Sequence, residues 1–332
     1  MRALVYANGS SLIGLGHIMR TLAISKELCK REVIVEYTVD KSNESAINLI
    51  RNNGFKVIVV DNILDHISSI NSLKYDVTLI DSYDIDEDGI EKFYAISEKI
   101  VYIDDLAVFN SYNMDLLINT SIGASDLKYK GSFKKLLGPK YAILRDEFRN
   151  IEYKVPRQNV KKILITLGGA DTNNVTKLIL DQLLDSYKDI EYNVVLGNSY
   201  RYKDFMINYY ETQKVEFHIN VSNMKDIMIQ NDLAISAGGN TLYELCACGV
   251  PTIAIITADN QRQFVKEIHK KTGIDFVDLI EIDFDNSYCL LRSIIDKNIK
   301  SHELRKQYSK KMFELVDGKG CSRIVDEIME LF

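Results

Sequence analysis

The sequence predicts an α/β protein of two doubly wound, Rossmann-like domains facing each other across a cleft. Three observations predict it. Short, nearly continuous apolar runs alternate with helical patterns along the chain, as in parallel sheets covered on both faces. The alternation pauses once, between Gly138-Pro139 and Lys154-Val155-Pro156, where two of only three prolines fall, and then restarts. At 332 residues the chain has room for two domains of about 100–200 residues each. The boundaries that follow are 1–155 and 156–332, with the last helices as candidates to pack back on the first domain.

In the first half the expected strands are Ala3–Ala7, Val33–Val39, Lys56–Val60, Val77–Asp81, Lys99–Ile103 and Leu116–Asn119. Each is rich in β-branched or aromatic residues and too short to be a buried helix. Helical patterns fill the intervals, notably Ile18–Lys30, Ser45–Asn53 and Asp86–Glu98. The second half repeats the scheme with strands Lys162–Leu167, Asn193–Leu196, Val215–His218, Leu233–Ser236, Thr252–Ile256 and Ile274–Val277. Helices are expected over Asn174–Asp185, Asn240–Cys248, Ser301–Val316 and Cys321–Phe332, the last two broken at Gly318 and Gly320.

Composition narrows the function. A formal net charge of -6 argues against a nucleic-acid partner, which normally asks for a basic excess. No apolar run approaches the ~20 residues of a membrane helix, and Met1-Arg2-Ala3 enters a strand without the regions of a signal peptide. Cytoplasm is the expected compartment. Five scattered cysteines, with Cys246 and Cys248 as a bare C-x-C, favour reduced thiols over a zinc site. No metal and no cofactor are expected, and a monomer is expected because no heptad pattern asks for a partner.

In doubly wound sheets ligands bind beyond the carboxyl ends of strands, so unusual polar residues there are the candidates for function. The first strand runs into Asn8-Gly9-Ser10-Ser11-Leu12-Ile13-Gly14-Leu15-Gly16-His17, a glycine loop opening a helix, which suits an anion through free N–H groups and the helix dipole. A plain phosphate loop needs no histidine. Beside a helix N-terminus the imidazolium is disfavoured, which keeps neutral His17 available as a base near pH 7. Arg20, three residues on, shares its face and can approach an anion. The alternatives are a histidine packed under the loop and an ordinary surface arginine.

The second half offers three more junctions. Gly168-Gly169-Ala170-Asp171 follows a strand and reads either as a diphosphate loop or as a tight turn. Ser236-Ala237-Gly238-Gly239-Asn240 opens a helix that carries Glu244 one turn in. There a diphosphate would meet the helix N-terminus and the carboxylate would accept from ribose hydroxyls; otherwise Glu244 is a surface residue. Asp259-Asn260-Gln261-Arg262 follows another strand, and its amides either read sugar groups or cap the helix. Asp81-Ser82-Tyr83, Asp104-Asp105 and Asn119 also end strands, as substrate contacts or as caps. The nucleotide charge would be met by N–H groups and by Arg20 or Arg262.

Taken in order, Gly14-Leu15-Gly16-His17-Ile18-Met19-Arg20, Asp81-Ser82-Tyr83, Asp104-Asp105, Tyr141–Phe148, Gly168-Gly169-Ala170-Asp171, Asp259-Asn260-Gln261 and Asp317-Gly318-Lys319-Gly320 span nearly the whole chain. Together they resemble the UDP-2,4-diacetamido-2,4,6-trideoxy-β-L-altropyranose hydrolases of bacterial pseudaminic acid synthesis and their spore-coat polysaccharide relatives. The resemblance implies the glycosyltransferase-B fold, kinship with MurG-type glycosyltransferases, and metal-independent hydrolysis at the anomeric carbon of a UDP-sugar. It puts the family's active histidine on His17, its tyrosine on Tyr83 and its asparagine on Asn260. The sequence departs at Gly238-Gly239, where some of these hydrolases carry serines.

The site expected from residues and resemblance together has His17 as catalytic base. Gly14, Gly16, Arg20, Tyr83, Asn260 and Gln261 lie against the sugar, and Gly168, Gly169, Asp171, Ser236, Gly238, Gly239, Asn240 and Glu244 hold the nucleotide. Water activated by His17 would displace UDP with inversion, as in water-mediated glycosidases. An inverting glycosyltransferase, a non-catalytic nucleotide-sugar binder and a pyrophosphatase are the other readings.

Overall fold

The structure is a computed structural model that describes residues 1–7, 15–70, 72, 74–197, 199–280 and 284–332. It divides into two compact units, 1–146 with 319–332, and 147–318. The chain thus changes unit twice, after Asp146 and after Gly318; the sequence placed the first change at 155/156 and offered the last helices as candidates to pack back on the first domain.

Unit 1 holds seven parallel strands: β1 (Arg2–Ala7), β2 (Ile34–Asp40), β3 (Lys56–Val60), β4 (Tyr75–Asp81), β5 (Ser97–Ile103), β6 (Leu116–Asn119) and β7 (Lys134–Leu137). Helices α1 (Gly16–Lys30), α2 (Glu44–Asn52), α3 (Ile63–Ser68) and α4 (Glu87–Lys92) connect the first five. Strand order is β3-β2-β1-β4-β5-β6-β7, so the winding direction switches between β1 and β4. Ala7 at the end of β1 pairs with Asp81 at the end of β4. That is the crevice where such a sheet receives ligands.

Two features differ from the sequence expectation. The helix expected over Asp86–Glu98 stops at Lys92, continues as a short 3-10 turn, and Ser97 already belongs to β5. Sheet pairing overrides helical pattern here, because Phe93 and Ile96 are buried and the Ile96 carbonyl accepts from the Lys74 and Tyr75 N–H groups. The unexpected β7 is an edge strand whose two lysines mask its apolar signal, a usual guard against edge-to-edge pairing.

Unit 2 carries a six-stranded parallel sheet ordered β10-β9-β8-β11-β12-β13. The strands are β8 (Lys162–Thr166), β9 (Glu191–Leu196), β10 (Val215–Ile219), β11 (Leu233–Ala237), β12 (Thr252–Ile256) and β13 (Phe276–Asp278). Its helices are α5 (Val175–Ser186), α6 (Lys203–Tyr209), α7 (Met224–Met228), α8 (Thr241–Cys248), α9 (Arg262–Thr272), α10 (Phe284–Lys300) and α11 (His302–Leu315). Its switch lies between β8 and β11, with Thr166 opposite Ser236. The Gly168 and Gly238 loops are therefore neighbours.

The last helix, α12 (Gly320–Met329), belongs to unit 1. Ile324, Val325 and Ile328 are fully buried in the cluster that includes Ala3, Val5 and Leu28. No described helix is long and apolar enough to cross a membrane.

Candidate active site

The site in unit 1 grows out of the switch between β1 and β4. Helix α1 begins just after β1 and carries His17 and Arg20 on one face; β4 ends in Asp81, and Tyr83 follows two residues later. Asp81 is fully buried and His17 is 7 % exposed. His17 Nδ1 lies 2.6 Å from Asp81 Oδ1 and 3.1 Å from Arg20 Nη2. A guanidinium only donates and a carboxylate only accepts, so one ring nitrogen cannot serve both. The shorter contact decides: Nδ1–H donates to Asp81, and Arg20 comes near only because it donates to the same oxygen, at 2.6 Å. The neutral ring then keeps its lone pair on Nε2, which has no partner among the described residues.

Arg20 bridges two carboxylates. Its Nε donates to Asp81 Oδ2 at 2.5 Å and its Nη1 to Asp105 Oδ1 at 3.0 Å. Burial works against a charged guanidinium, but the two carboxylates outweigh it and hold Arg20 firmly protonated. Burial would likewise raise Asp105, yet Arg20 and the Tyr83 hydroxyl hold it below the usual carboxylate range. Tyr83 OH donates to Asp105 at 2.8 Å, and burial together with Asp105 pushes the phenol up, so it stays a donor. The Tyr83 ring is half exposed and stands edge-on to the imidazole.

Beside Tyr83 opens a cavity of about 610 Å³ lined by Tyr6, Asp40, Ser42, Asp61, Asn62 and Phe109 among others. Its carboxylates repel a diphosphate and suit a group rich in N–H and O–H donors. A second cavity, about 390 Å³, lies at the amino ends of β11 and β12 and contains none of the expected site residues.

Several expected roles change. Arg20 is engaged by the protein carboxylates Asp81 and Asp105, and Arg262 likewise pairs with Asp278 at 2.9 Å and Asp259 at 3.1 Å. Asp171 is a helix cap: its two oxygens accept from the Val175 and Thr176 N–H groups, both at 2.9 Å. It thereby occupies the α5 N–H groups a diphosphate would have used. Ser236 is fully buried within β11 and its hydroxyl donates to the Ala237 carbonyl, so it presents nothing to a nucleotide. Gly238 is a packing glycine, since a Cβ there would lie 2.3 Å from Val265 Cγ2. The Gln261 side-chain oxygen accepts from the Thr257 N–H at 2.9 Å and braces its own loop, leaving only the amide N–H groups for a ligand.

Other positions stay open to a ligand. Gly14 lies outside the described residues, while Gly16 opens α1 with free space where a Cβ would stand. Gly168 turns at φ +88°, a backbone only glycine adopts readily, and Gly169 and Gly239 also border open space. Asn240 and Asn260 are exposed and Glu244 is half-buried. In the first turn of α8, Leu242 and Tyr243 donate back to Gly239 and Asn240, while the N–H groups of Asn240 and Thr241 find no acceptor among the described residues. That leaves α8 as the better anion site of the two glycine junctions.

Asp81 and Asp105, for which the sequence left substrate contact and helix cap both open, are the centre of the unit 1 network. The readable signal was an aspartate ending a strand; that β4 is the neighbour of β1 was not readable. Asp104 and Asn119 prove local. Asp104 accepts from the Leu106 and Ala107 N–H groups at 2.9 and 3.0 Å, and Asn119 from the Ser121 N–H at 2.9 Å. No cluster of three or more metal-type side chains occurs among the described residues.

The profile of the glycosyltransferase family 28 C-terminal domain matches residues 162–312. An uncharacterised protein of Methanocaldococcus jannaschii, MJ1062, is 32% identical over 82% of this chain, which covers 59% of that protein's length. The spore coat polysaccharide biosynthesis protein SpsG of Bacillus subtilis is 26% identical over 99% of the chain and 98% of its own length. The UDP-2,4-diacetamido-2,4,6-trideoxy-β-L-altropyranose hydrolase of Campylobacter jejuni is 29% identical over 55% of the chain and 66% of its own. Among solved structures, MurG of Acinetobacter baumannii superposes with a TM-score of 0.72 at 12% identity, covering 99% of both chains. The calicheamicin glycosyltransferase CalG4 gives 0.65 at 12% identity over 99% of this chain and 98% of its own. Two switch-point sheets that match these enzymes end to end, the second also matching the family 28 profile, give this chain the glycosyltransferase-B fold.

Proposed function

We propose that this chain is an enzyme acting on a UDP-sugar, and that it hydrolyses a UDP-linked 2,4-diacetamido-2,4,6-trideoxy sugar at the anomeric carbon, releasing UDP and the free sugar with inversion. The observation that carries this reading is the His17–Asp81 pair, which fixes the proton on Nδ1 and leaves Nε2, without a partner among the described residues, as the base. Nε2 takes a proton from water as the water oxygen bonds to C1, and the C1–oxygen bond to UDP breaks. Asp81 balances the imidazolium so formed. UDP is a good leaving group, so an activated water is the main demand, and a general base contributes typically ~10²–10⁴-fold.

The first turn of α8 receives the diphosphate and Glu244 the ribose hydroxyls. Tyr83 positions the sugar, and the acceptor-lined cavity beside it suits the sugar's amide and hydroxyl donors. The likeness to the Campylobacter hydrolase and to the Bacillus spore-coat protein supports hydrolysis within surface-polysaccharide or nonulosonic acid synthesis.

An inverting glycosyltransferase is the second reading, favoured by the family 28 profile and the likeness to MurG. In it His17 deprotonates an acceptor hydroxyl. The decisive experiment incubates the protein with a panel of UDP-2,4-diacetamido sugars in water labelled with heavy oxygen, without acceptor. Full release of UDP with label at C1 is expected. Slow leakage alone would leave the transferase, and UMP as product would mean a pyrophosphatase.

A further inference from the structure

Among the described residues four groups face the His17 imidazole: Arg20 from α1, Asp81 from the end of β4, Tyr83 just beyond it, and Asp105 from the loop after β5. Two buried hydroxyls near Asp81, Tyr37 of β2 and Tyr102 of β5, are held protonated by burial and add no charge. The charged set is therefore one guanidinium and two carboxylates, with a net charge of one negative.

Arg20 is the only member that touches both carboxylates, with Nη2 2.6 Å from Asp81 Oδ1 and 2.8 Å from Asp105 Oδ2. Its planar fork is what makes this possible; a lysine ammonium presents a single point charge. We propose that Arg20 is a positioning residue that sets how readily His17 takes up a proton, by leaving one carboxylate, and not two, uncompensated beside the ring. This rests on the reading of His17 as the base and adds to it a residue that need not touch the substrate.

Charge arithmetic gives an ordering. Arg20→Gln leaves two negative charges around the ring, Asp105→Asn leaves none, and the double variant restores one. The test follows the His17 ring by NMR during pH titration of the whole unliganded protein in these four forms. Relative to wild type, the Arg20→Gln midpoint is expected about 1 pH unit higher and that of Asp105→Asn about 1 unit lower. The double variant should return close to wild type. If Arg20→Gln fails to fold with two unpaired buried carboxylates, Asp105→Asn and the double variant still supply the comparison. Equal midpoints in the folded forms would overturn the proposal.

With an active UDP-sugar, the acid limb of kcat/KM should move in the same order, since base catalysis is lost where His17 is protonated. An acid limb that stays put while the NMR midpoints move would refute His17 as the base but leave the charge control intact.

Discussion

The ring of Tyr83 stands at 90° to the imidazole of His17, with centroids 4.5 Å apart. The same tyrosine's hydroxyl is tied to Asp105, so ring and hydroxyl have separable tasks. Tyr83→Phe keeps the ring contact and loses only a bond made at a half-exposed position, so kcat/KM should fall about tenfold. Tyr83→Ala also loses the ring pair, worth about 0.5–1.5 kcal/mol, and should fall further. Equal losses in steady-state kinetics would mean that the ring contributes nothing to holding His17.

Asp81→Asn tests the tautomer. Asparagine can turn its amide to donate to Nδ1, which leaves the ring proton on Nε2 and removes the base. Turnover should drop by about 10²-fold or more. Stability should fall as well, by about 3–5 kcal/mol, because buried Arg20 loses its closer partner. A folded Asp81→Asn protein with near-wild-type kcat would sink the proposed role of Nε2.

The adjacent glycines Gly238 and Gly239 should respond oppositely. A methyl at Gly238 drives into Val265, so Gly238→Ala should cost about 1–3 kcal/mol in urea unfolding. At Gly239 the same methyl enters open space, so stability should hold while UDP affinity, read by calorimetry, weakens. Loss of stability without loss of affinity at Gly239 would move the diphosphate away from α8.

Asp105 makes stability depend on acid. Its folded carboxyl titrates below the unfolded value of about 3.9. The contribution is thus fully present above about pH 4 and lost as pH falls through the folded value. Unfolding free energies measured from about pH 6 down to pH 2.5 should fall more steeply for wild type than for Asp105→Asn. Parallel curves would show that Asp105 gains nothing from Arg20 and Tyr83.

Much of the fold was legible because both sheets are parallel and buried. Runs such as Ala3–Ala7 and Thr252–Ile256 carry their assignment in their own composition. Lys134–Leu137 did not, since an edge strand advertises charge. The candidate site was legible only in part, for a related reason. His17, Arg20 and Tyr83 stand out locally as polar residues just beyond strands. Which carboxylate each would meet depends on strand order, and nothing local says that β4 lies beside β1. The same gap explains Gly238, whose neighbour Val265 comes from a helix one strand further on. Asp171 is a different case: an aspartate beside two glycines at a helix start fits a cap and a phosphate loop equally well.

The return of α12 to unit 1 bears on how the protein is made. Residues 319–332 are synthesised after all of unit 2, yet Ile324, Val325 and Ile328 complete the apolar face beside β1 and α1. On the ribosome, unit 2 can close first while unit 1 waits with an uncovered face. Unit 1, which carries His17, thus begins ahead of unit 2 and is completed after it.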